Sequence, residues 1–260
     1  MDKCQFSEFS YGYCVTEDLI VGQGMQLTAA PIFPSLIEEG QQGGGYDARL
    51  NRPGAPLFLQ FKLVHQMVRG NAYEATRGHF QVPFYRMHLR PLRISDQHNS
   101  LLTLEQSGNE VYYVAPAFHT ASTLDAVYAS KQVWNRSFRI RPRMIGPLPS
   151  NGPHHVTFTA GGAWRRYSEE ASEEMRVPQT EEIEHALQLR IEQRGRRPFR
   201  EQAAELDASL LQIVRERNNT RRAAERINLS EIEADEDRIR RAAYISRQFF
   251  DCQLFFVTQK

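Results

Sequence analysis

Hydrophobic positions follow two different patterns along this chain. Up to about residue 165, short apolar runs are separated by glycine and proline, which predicts strands joined by turns. After residue 165 the chain becomes rich in Glu, Arg, Ala, Leu and Gln, a composition typical of long helices. We therefore predict an α/β domain over residues 1–165 and a helical region over residues 166–260.

The first part predicts a defined order of elements: helix, three strands, helix, strand. The first helix is expected in residues 6–21 or in residues 35–39. The second begins after Ser95, a good N-cap, and ends at Gly108, and Pro116 closes the last strand. The four predicted strands are residues 46–50, 56–64, 84–89 and 110–115.

Three helices are predicted in the second part. One begins at Thr180 and ends at Gly195, a second carries an apolar stripe from Phe199, and a third begins at Ser230. The final segment, residues 249–257, is too apolar to remain free in solvent. We expect it to pack on the first domain or across an interface between copies of the chain.

Candidate chemistry lies at the end of the second predicted strand, where Gln60 and Lys62 interrupt an apolar run. Side chains alternate along a strand, so the two polar groups are expected on one face. Buried polar groups need partners, and a metal or an anion is one way to supply them. Asp47, on the preceding predicted strand, is expected beside them. A carboxylate, an amide oxygen and a lysine suit Mg²⁺ and a water that the lysine orients.

Asp47 followed by Gln60-x-Lys62 resembles the pattern of the PD-(D/E)xK nuclease superfamily, in the variant in which glutamine replaces the second acid. The resemblance covers roughly residues 1–165 and implies a restriction-endonuclease-like core. It also implies metal-dependent phosphodiester hydrolysis, with DNA favoured over RNA. The implied metal ligands are Asp47, Gln60 and the Phe61 carbonyl, holding Mg²⁺ or Mn²⁺, while Lys62 positions the attacking water.

The same resemblance implies a second acid near the metal. Glu39 is the first candidate, with Glu38 and Glu8 as alternatives, and each is equally explained as an exposed helix acid. Residues 31–62 and 96–98 look most like bacterial defence-associated nucleases of this superfamily, which implies a role in anti-phage defence. An ATPase or another regulatory partner is expected by the same analogy only.

Contacts with nucleic acid are predicted at two places. Gln97 and His98 open the second helix, where the helix dipole and free backbone amides favour a phosphate. Local capping and packing explain these two residues equally well. Arg86 and Arg90 flank the predicted core and suit a phosphate track, although solvated or ion-paired surface arginines would have the same sequence.

Composition narrows the class of protein. The 260 residues carry a formal net charge of +1, which argues neither for nor against nucleic acid. Three cysteines are too few for a disulfide framework, no apolar run suits a membrane span, and no secretory signal is evident, so we expect a cytoplasmic protein. The resemblance implies DNA as a partner, and the apolar segment 249–257 favours pairing between copies of the chain in a homo-oligomer.

Two other functions fit the same residues. The first is a catalytically silent nucleic-acid-binding or assembly subunit that keeps the nuclease-like fold. The second is an interaction protein in which Gln60 and Lys62 only pair with a neighbouring acid in the core.

Overall fold

A computed structural model gives the architecture of the chain. The described residues combine helices with two β-sheets, so the predicted α/β fold class is confirmed. Asp47, Glu39, Glu38 and the predicted strand 46–50 lie outside the described residues and stay predictions. The described residues are 1–22, 26–27, 55–168, 171–172, 175–176, 180–195, 197–216 and 235–258.

The elements up to residue 116 include those predicted to form the core. The helix after Ser95 and the strand before Pro116 are confirmed, and the Ser95 hydroxyl accepts a hydrogen bond from the Gln97 N–H at 3.2 Å. The elements are β1 Asp2–Lys3, α1 Glu8–Glu17, a π-helix Asp18–Gly22, β2 Gln26–Leu27, β3 Ala55–Phe61, β4 Val64–Met67, α2 Tyr73–Thr76, β5 Phe84–Leu89, α3 Gln97–Gln106 and β6 Glu110–Pro116.

The later elements end in helices and one strand. The helices predicted from Thr180 to Gly195 and from Phe199 are confirmed, while Ser230 lies outside the described residues. The elements are α4 Ala121–Ala129, β7 Ser137–Ile140, α5 Pro142–Ile145, β8 His154–Phe158, β9 Ala163–Tyr167, β10 Met175–Arg176, α6 Thr180–Gly195, α7 Phe199–Glu216, α8 Asp235–Phe250 and β11 Gln253–Thr258. None of the described helices is long and apolar enough to span a bilayer.

The chain divides into two compact units that interleave along the sequence. The first unit comprises residues 1–24, 61–99 and 112–183, and the second comprises residues 25–60, 100–111 and 184–260. The domain boundary near residue 165 stays a prediction. The interleaving follows from long-range strand pairing, because β11 pairs with β3 from Gln253 opposite Leu59 to Val257 opposite Ala55.

The six-stranded sheet belongs to the first unit and has the order β1-β4-β5-β8-β9-β10. Its described pairs are antiparallel. The alternation of strand residues puts Tyr85, Met87 and Leu89 on one face, where they are buried, and Arg86 and His88 on the other. The buried face forms core, with the rings of Phe138 and Phe158 stacked 4.0 Å apart.

The five-stranded sheet has the order β2-β11-β3-β6-β7, so β3 is an inner strand. The prediction of one strand over residues 56–64 is wrong at its end, because β3 stops at Phe61 and Val64 begins β4 in the other sheet. At this crossing the Lys62 N–H donates to the Val114 carbonyl at 3.0 Å, whereas Val64 pairs with Met87. The predicted strand Phe84–Leu89 exists as β5, but it lies in the six-stranded sheet and not beside β3.

The apolar C-terminal segment packs as expected. It forms β11, which pairs with β2 and β3 of its own unit, and its residues from Cys252 to Val257 are buried. The region after residue 165 is therefore not only helical.

Candidate active site

Gln60 lies near the end of a strand that is buried on both faces. Residues 55–60 are all buried, and β3 is an inner strand with a neighbouring strand on each side. The Gln60 side chain has 0 % of its surface exposed. A primary amide so far from solvent must have its polar atoms satisfied inside the protein. Its burial agrees with the sequence prediction of a polar group held within an apolar strand.

Lys62 follows β3 directly and is also buried, with 8 % exposure. Its Nζ donates a hydrogen bond to the Gln97 Oε1 atom at 3.1 Å. A buried ammonium is costly unless hydrogen bonds compensate for the lost hydration. The structure therefore brings two sequence-predicted site residues together, the lysine assigned to chemistry and the glutamine assigned to phosphate contact.

Phe61, the third predicted metal ligand by its carbonyl, ends β3 and is partly exposed. Its ring packs edge-on against Tyr11, with the ring centroids 6.0 Å apart. A Cβ atom at Gly12 would stand 2.9 Å from the Phe61 ring, so α1 approaches the strand end closely only because residue 12 is glycine. Lys62 is the next residue after Phe61, so α1 packs close to the position of the lysine.

His98 is held entirely within the protein. Its Nε2 lies 2.8 Å from the Gly146 carbonyl, so this nitrogen carries the proton, and its Nδ1 lies 3.1 Å from the Tyr113 hydroxyl. Burial lowers the pKa of His98, which favours the neutral imidazole that these two bonds require. The ring also stacks on Tyr113, with an angle of 12° between the planes. Both nitrogens are thus engaged, and a contact between His98 and nucleic acid stays a prediction.

Arg86 is bound to a buried carboxylate. Its Nε and Nη2 donate to the two oxygens of Glu74 at 2.9 and 2.6 Å, and Glu74 has 0 % exposure. His155 Nε2 and the Thr157 hydroxyl also contact the Glu74 carboxylate, at 3.0 and 2.9 Å. Arg90, which follows β5, is exposed. The predicted role of both arginines in nucleic-acid binding stays a prediction, although the Arg86 guanidinium already has a protein partner.

The Glu74 network sets the ionisation of its carboxyl group. Burial by itself would raise the pKa of Glu74, but hydrogen bonds from His155 and Arg86 outweigh it and hold that pKa well below its usual range. Sequence reasoning missed this network, because Glu74 lies in a four-residue helix with no periodic pattern. The alternation Arg86-Met87-His88 in an otherwise apolar strand was the available signal that its polar face contacts something.

The predicted metal site rests on residues that the structure describes only in part. Glu8 opens α1 and is partly exposed, whereas Asp47, Glu39 and Glu38 lie outside the described residues. Among the residues that are described, no three His, Cys, Asp or Glu side chains are arranged to hold a metal ion. The set Asp47, Gln60 and Phe61 stays a prediction.

The adjacent histidines act separately, as strand alternation requires. His154 lies on the buried face and contacts Ser168 Oγ and the Ser150 carbonyl, both at 2.8 Å, while His155 lies on the other face beside Glu74.

No protein-family model, curated protein or solved structure matches this chain.

Proposed function

We propose that this protein is a metal-dependent nuclease that hydrolyses phosphodiester bonds, with DNA favoured over RNA. The observation that carries the proposal is the bond from Lys62 Nζ to Gln97 Oε1 at the end of a buried strand. It joins the lysine of the Gln-x-Lys pattern to the first turn of α3. The positive end of the helix dipole favours a phosphate at that turn, next to the lysine.

The proposal includes a restriction-endonuclease-like core. Its support is the order β3, α3, β6 along the chain, with β3 and β6 adjacent in one sheet. The strand predicted to carry Asp47 would complete this part of the core. The position of β5 in the other sheet makes the six-stranded sheet an addition to that core.

The donor set fits Mg²⁺ or Mn²⁺, because the Asp47 carboxylate, the Gln60 amide oxygen and the Phe61 carbonyl are all hard oxygen ligands. The bound metal would supply an acidified water and neutralise charge on the phosphate. Lys62 would orient the attacking water through its ammonium protons. Gln97, by accepting one of those protons, would hold the lysine in place for this task.

The test is cleavage of supercoiled plasmid by the full chain in Mg²⁺ or Mn²⁺, with EDTA as the control and an RNA of similar length as a second substrate. Lys62→Met keeps the length of the aliphatic side chain and removes the ammonium. We expect it to lower cleavage by about 100-fold or more, since positioned proton donors and acceptors contribute that much. Asp47→Ala is expected to give the same loss.

The matched control is Lys131→Met, which removes a lysine that pairs with Glu17 at 2.8 Å on the surface. This variant should cleave at the wild-type rate. Thermal unfolding of each variant shows whether a loss of cleavage reflects a loss of fold. Wild-type rates in folded Lys62→Met would contradict the proposed role of the lysine.

The burial of Gln60 and Lys62 also favours a second function, a silent nucleic-acid-binding subunit. In such a subunit the two polar groups would form hydrogen bonds inside the protein and take no part in catalysis. Binding of DNA without cleavage by the wild type, in either metal, would support this function instead.

A further inference from the structure

The edge of the six-stranded sheet gathers basic side chains on its polar face. Three neighbouring strands contribute to it, because Lys3 of β1 is paired with His65 of β4, and His65 is paired with Arg86 of β5. His88 follows two residues after Arg86 on the same face. The His65 and His88 rings are 5.1 Å apart between centroids. We call Lys3, His65 and His88 the basic corner.

The basic corner has polar atoms without a protein partner among the described residues. Lys3 is exposed and forms no ion pair with any described residue. His65 Nδ1 is buried, yet it has no hydrogen-bond partner among the described residues. His88 is exposed, and its contacts are with the rings of His65 and His155. A buried nitrogen without a partner requires an explanation such as a bound water or ion.

The Glu74 carboxylate, which is close to this corner, does not neutralise it. Glu74 faces the same side of the sheet from α2, but it is fully buried and already binds Arg86, His155 and Thr157. The Lys3 ammonium therefore has no carboxylate partner among the described residues, and an anion would compensate its charge.

We infer that the basic corner binds a backbone phosphate of the nucleic acid, an inference that rests on the proposed function. The Lys3 ammonium and the N–H groups of His65 and His88 would donate to the phosphate oxygens. Charge complementarity identifies the ligand, since a phosphodiester is an anion with acceptors and no donors. This contact would position the chain of the nucleic acid without reading its bases.

Protonation of the two histidines provides a signature of this contact. Burial, together with the charges of Lys3, Arg86 and the amino group of Met1, lowers the pKa of His65. Loss of hydration where the His88 ring packs on neighbouring rings, together with the charges of His155, His65 and Arg86, lowers its pKa to about 4 against an opposing effect of Glu74. A phosphate would stabilise both imidazolium forms and raise both pKa values. Binding should therefore take up protons, and the affinity should rise as the pH falls from 7.5 to 5.5.

The experiment measures the fluorescence anisotropy of a labelled 20-base-pair DNA duplex with the full chain, in EDTA so that no cleavage occurs. Lys3→Gln should weaken binding about fivefold and lower the slope of affinity against salt by about one. The double variant His65→Gln, His88→Gln should flatten the pH dependence. Lys131→Gln, a surface lysine outside the corner, should leave affinity and slope unchanged, and thermal unfolding should show all variants folded.

Inorganic phosphate is the second probe. If the corner is the phosphate site, phosphate should displace the duplex more easily from the wild type than from the double variant. Equal displacement, or an unchanged pH dependence in the double variant, would overturn the inference.

Cleavage is measured separately on plasmid, which distinguishes the two failures. Cleavage by a wild type whose DNA affinity does not depend on the corner would reject the inference and leave the nuclease function standing. Corner-dependent binding without cleavage would support the inference and reject the nuclease chemistry. A wild type that neither binds nor cleaves DNA would reject both.

Discussion

Lys62 and Glu74 are two charged side chains of the first unit that have little contact with solvent, and they differ in their described hydrogen-bond partners. Glu74 accepts hydrogen bonds from a guanidinium, a histidine and a hydroxyl, so a network from β5 and β8 surrounds its carboxylate. Lys62 donates to the neutral amide of Gln97. This bond orients the ammonium toward the first turn of α3.

The difference separates a structural charge from a candidate catalytic one. The groups around Glu74 tie α2 to the polar face of the six-stranded sheet, so removing the carboxylate should affect the fold first. The bond from Lys62 leads to the first turn of a helix, where a phosphate is favoured. Removing this ammonium should affect chemistry first.

The largest expected effect on stability comes from Glu74→Ala. The change leaves Arg86 without its buried partner, and breaking such a pair costs about 3–5 kcal/mol of unfolding free energy. Urea denaturation measures the loss. Glu17→Ala is the matched control, because its pair with Lys131 is partly exposed, and it should lose only a small fraction of that amount. Equal losses of unfolding free energy in the two variants would show that the Glu74 network stabilises the fold no more than an ordinary surface ion pair.

A smaller effect is expected from Gly12→Ala, which acts on the Lys62 side and leaves Glu74 alone. The new methyl group would stand 2.9 Å from the Phe61 ring, and the overpacking should outweigh the gain in helix propensity by up to about 2 kcal/mol. Cleavage should fall together with stability, because Phe61 precedes Lys62. Gly70→Ala, where no atom lies within 4 Å of the added Cβ, should change neither quantity. An equal response of the two glycine variants would show that the strand end is not closely packed.

The smallest effect concerns acid pH. The pKa of Glu74 is lower in the folded than in the unfolded chain, so its contribution to stability is complete above the unfolded value of about 4.3 and is lost as the pH falls toward the folded value. Stability measured in urea between pH 5 and pH 3 should therefore decline less steeply in Glu74→Gln than in the wild type. Identical slopes would show that the network does not stabilise the ionised carboxylate.

Local signals predicted the elements that local chemistry determines. Ser95 caps α3 and Gly108, with a φ of +86°, follows its end, so both boundaries were visible in the sequence. The bounds predicted for α6, Thr180 and Gly195, also agree with the structure. The buried polar position at Gln60 was also predictable, since a polar residue within an apolar run can be recognised from its immediate neighbours in the sequence.

Non-local partners explain what was missed. The apolar run continues through Leu63 and Val64, and nothing in it indicates that the chain changes sheets after Phe61. The change of sheet depends on two distant partners: the Lys62 N–H bonds to the Val114 carbonyl, whereas Val64 pairs with Met87. The Glu74 network likewise joins residues from α2, β5 and β8, which no spacing in the sequence connects.

The pairing of β11 with β3 also sets the order in which this protein can be completed during synthesis. Leu254 lies opposite Phe58, about 200 residues earlier in the chain. Until residues 253–258 have left the ribosome, the Gln60 strand lacks one of its neighbours, and contacts this distant in sequence form late. A chain truncated before Gln253 would leave an unpaired apolar edge on β3, the kind of edge that aggregates.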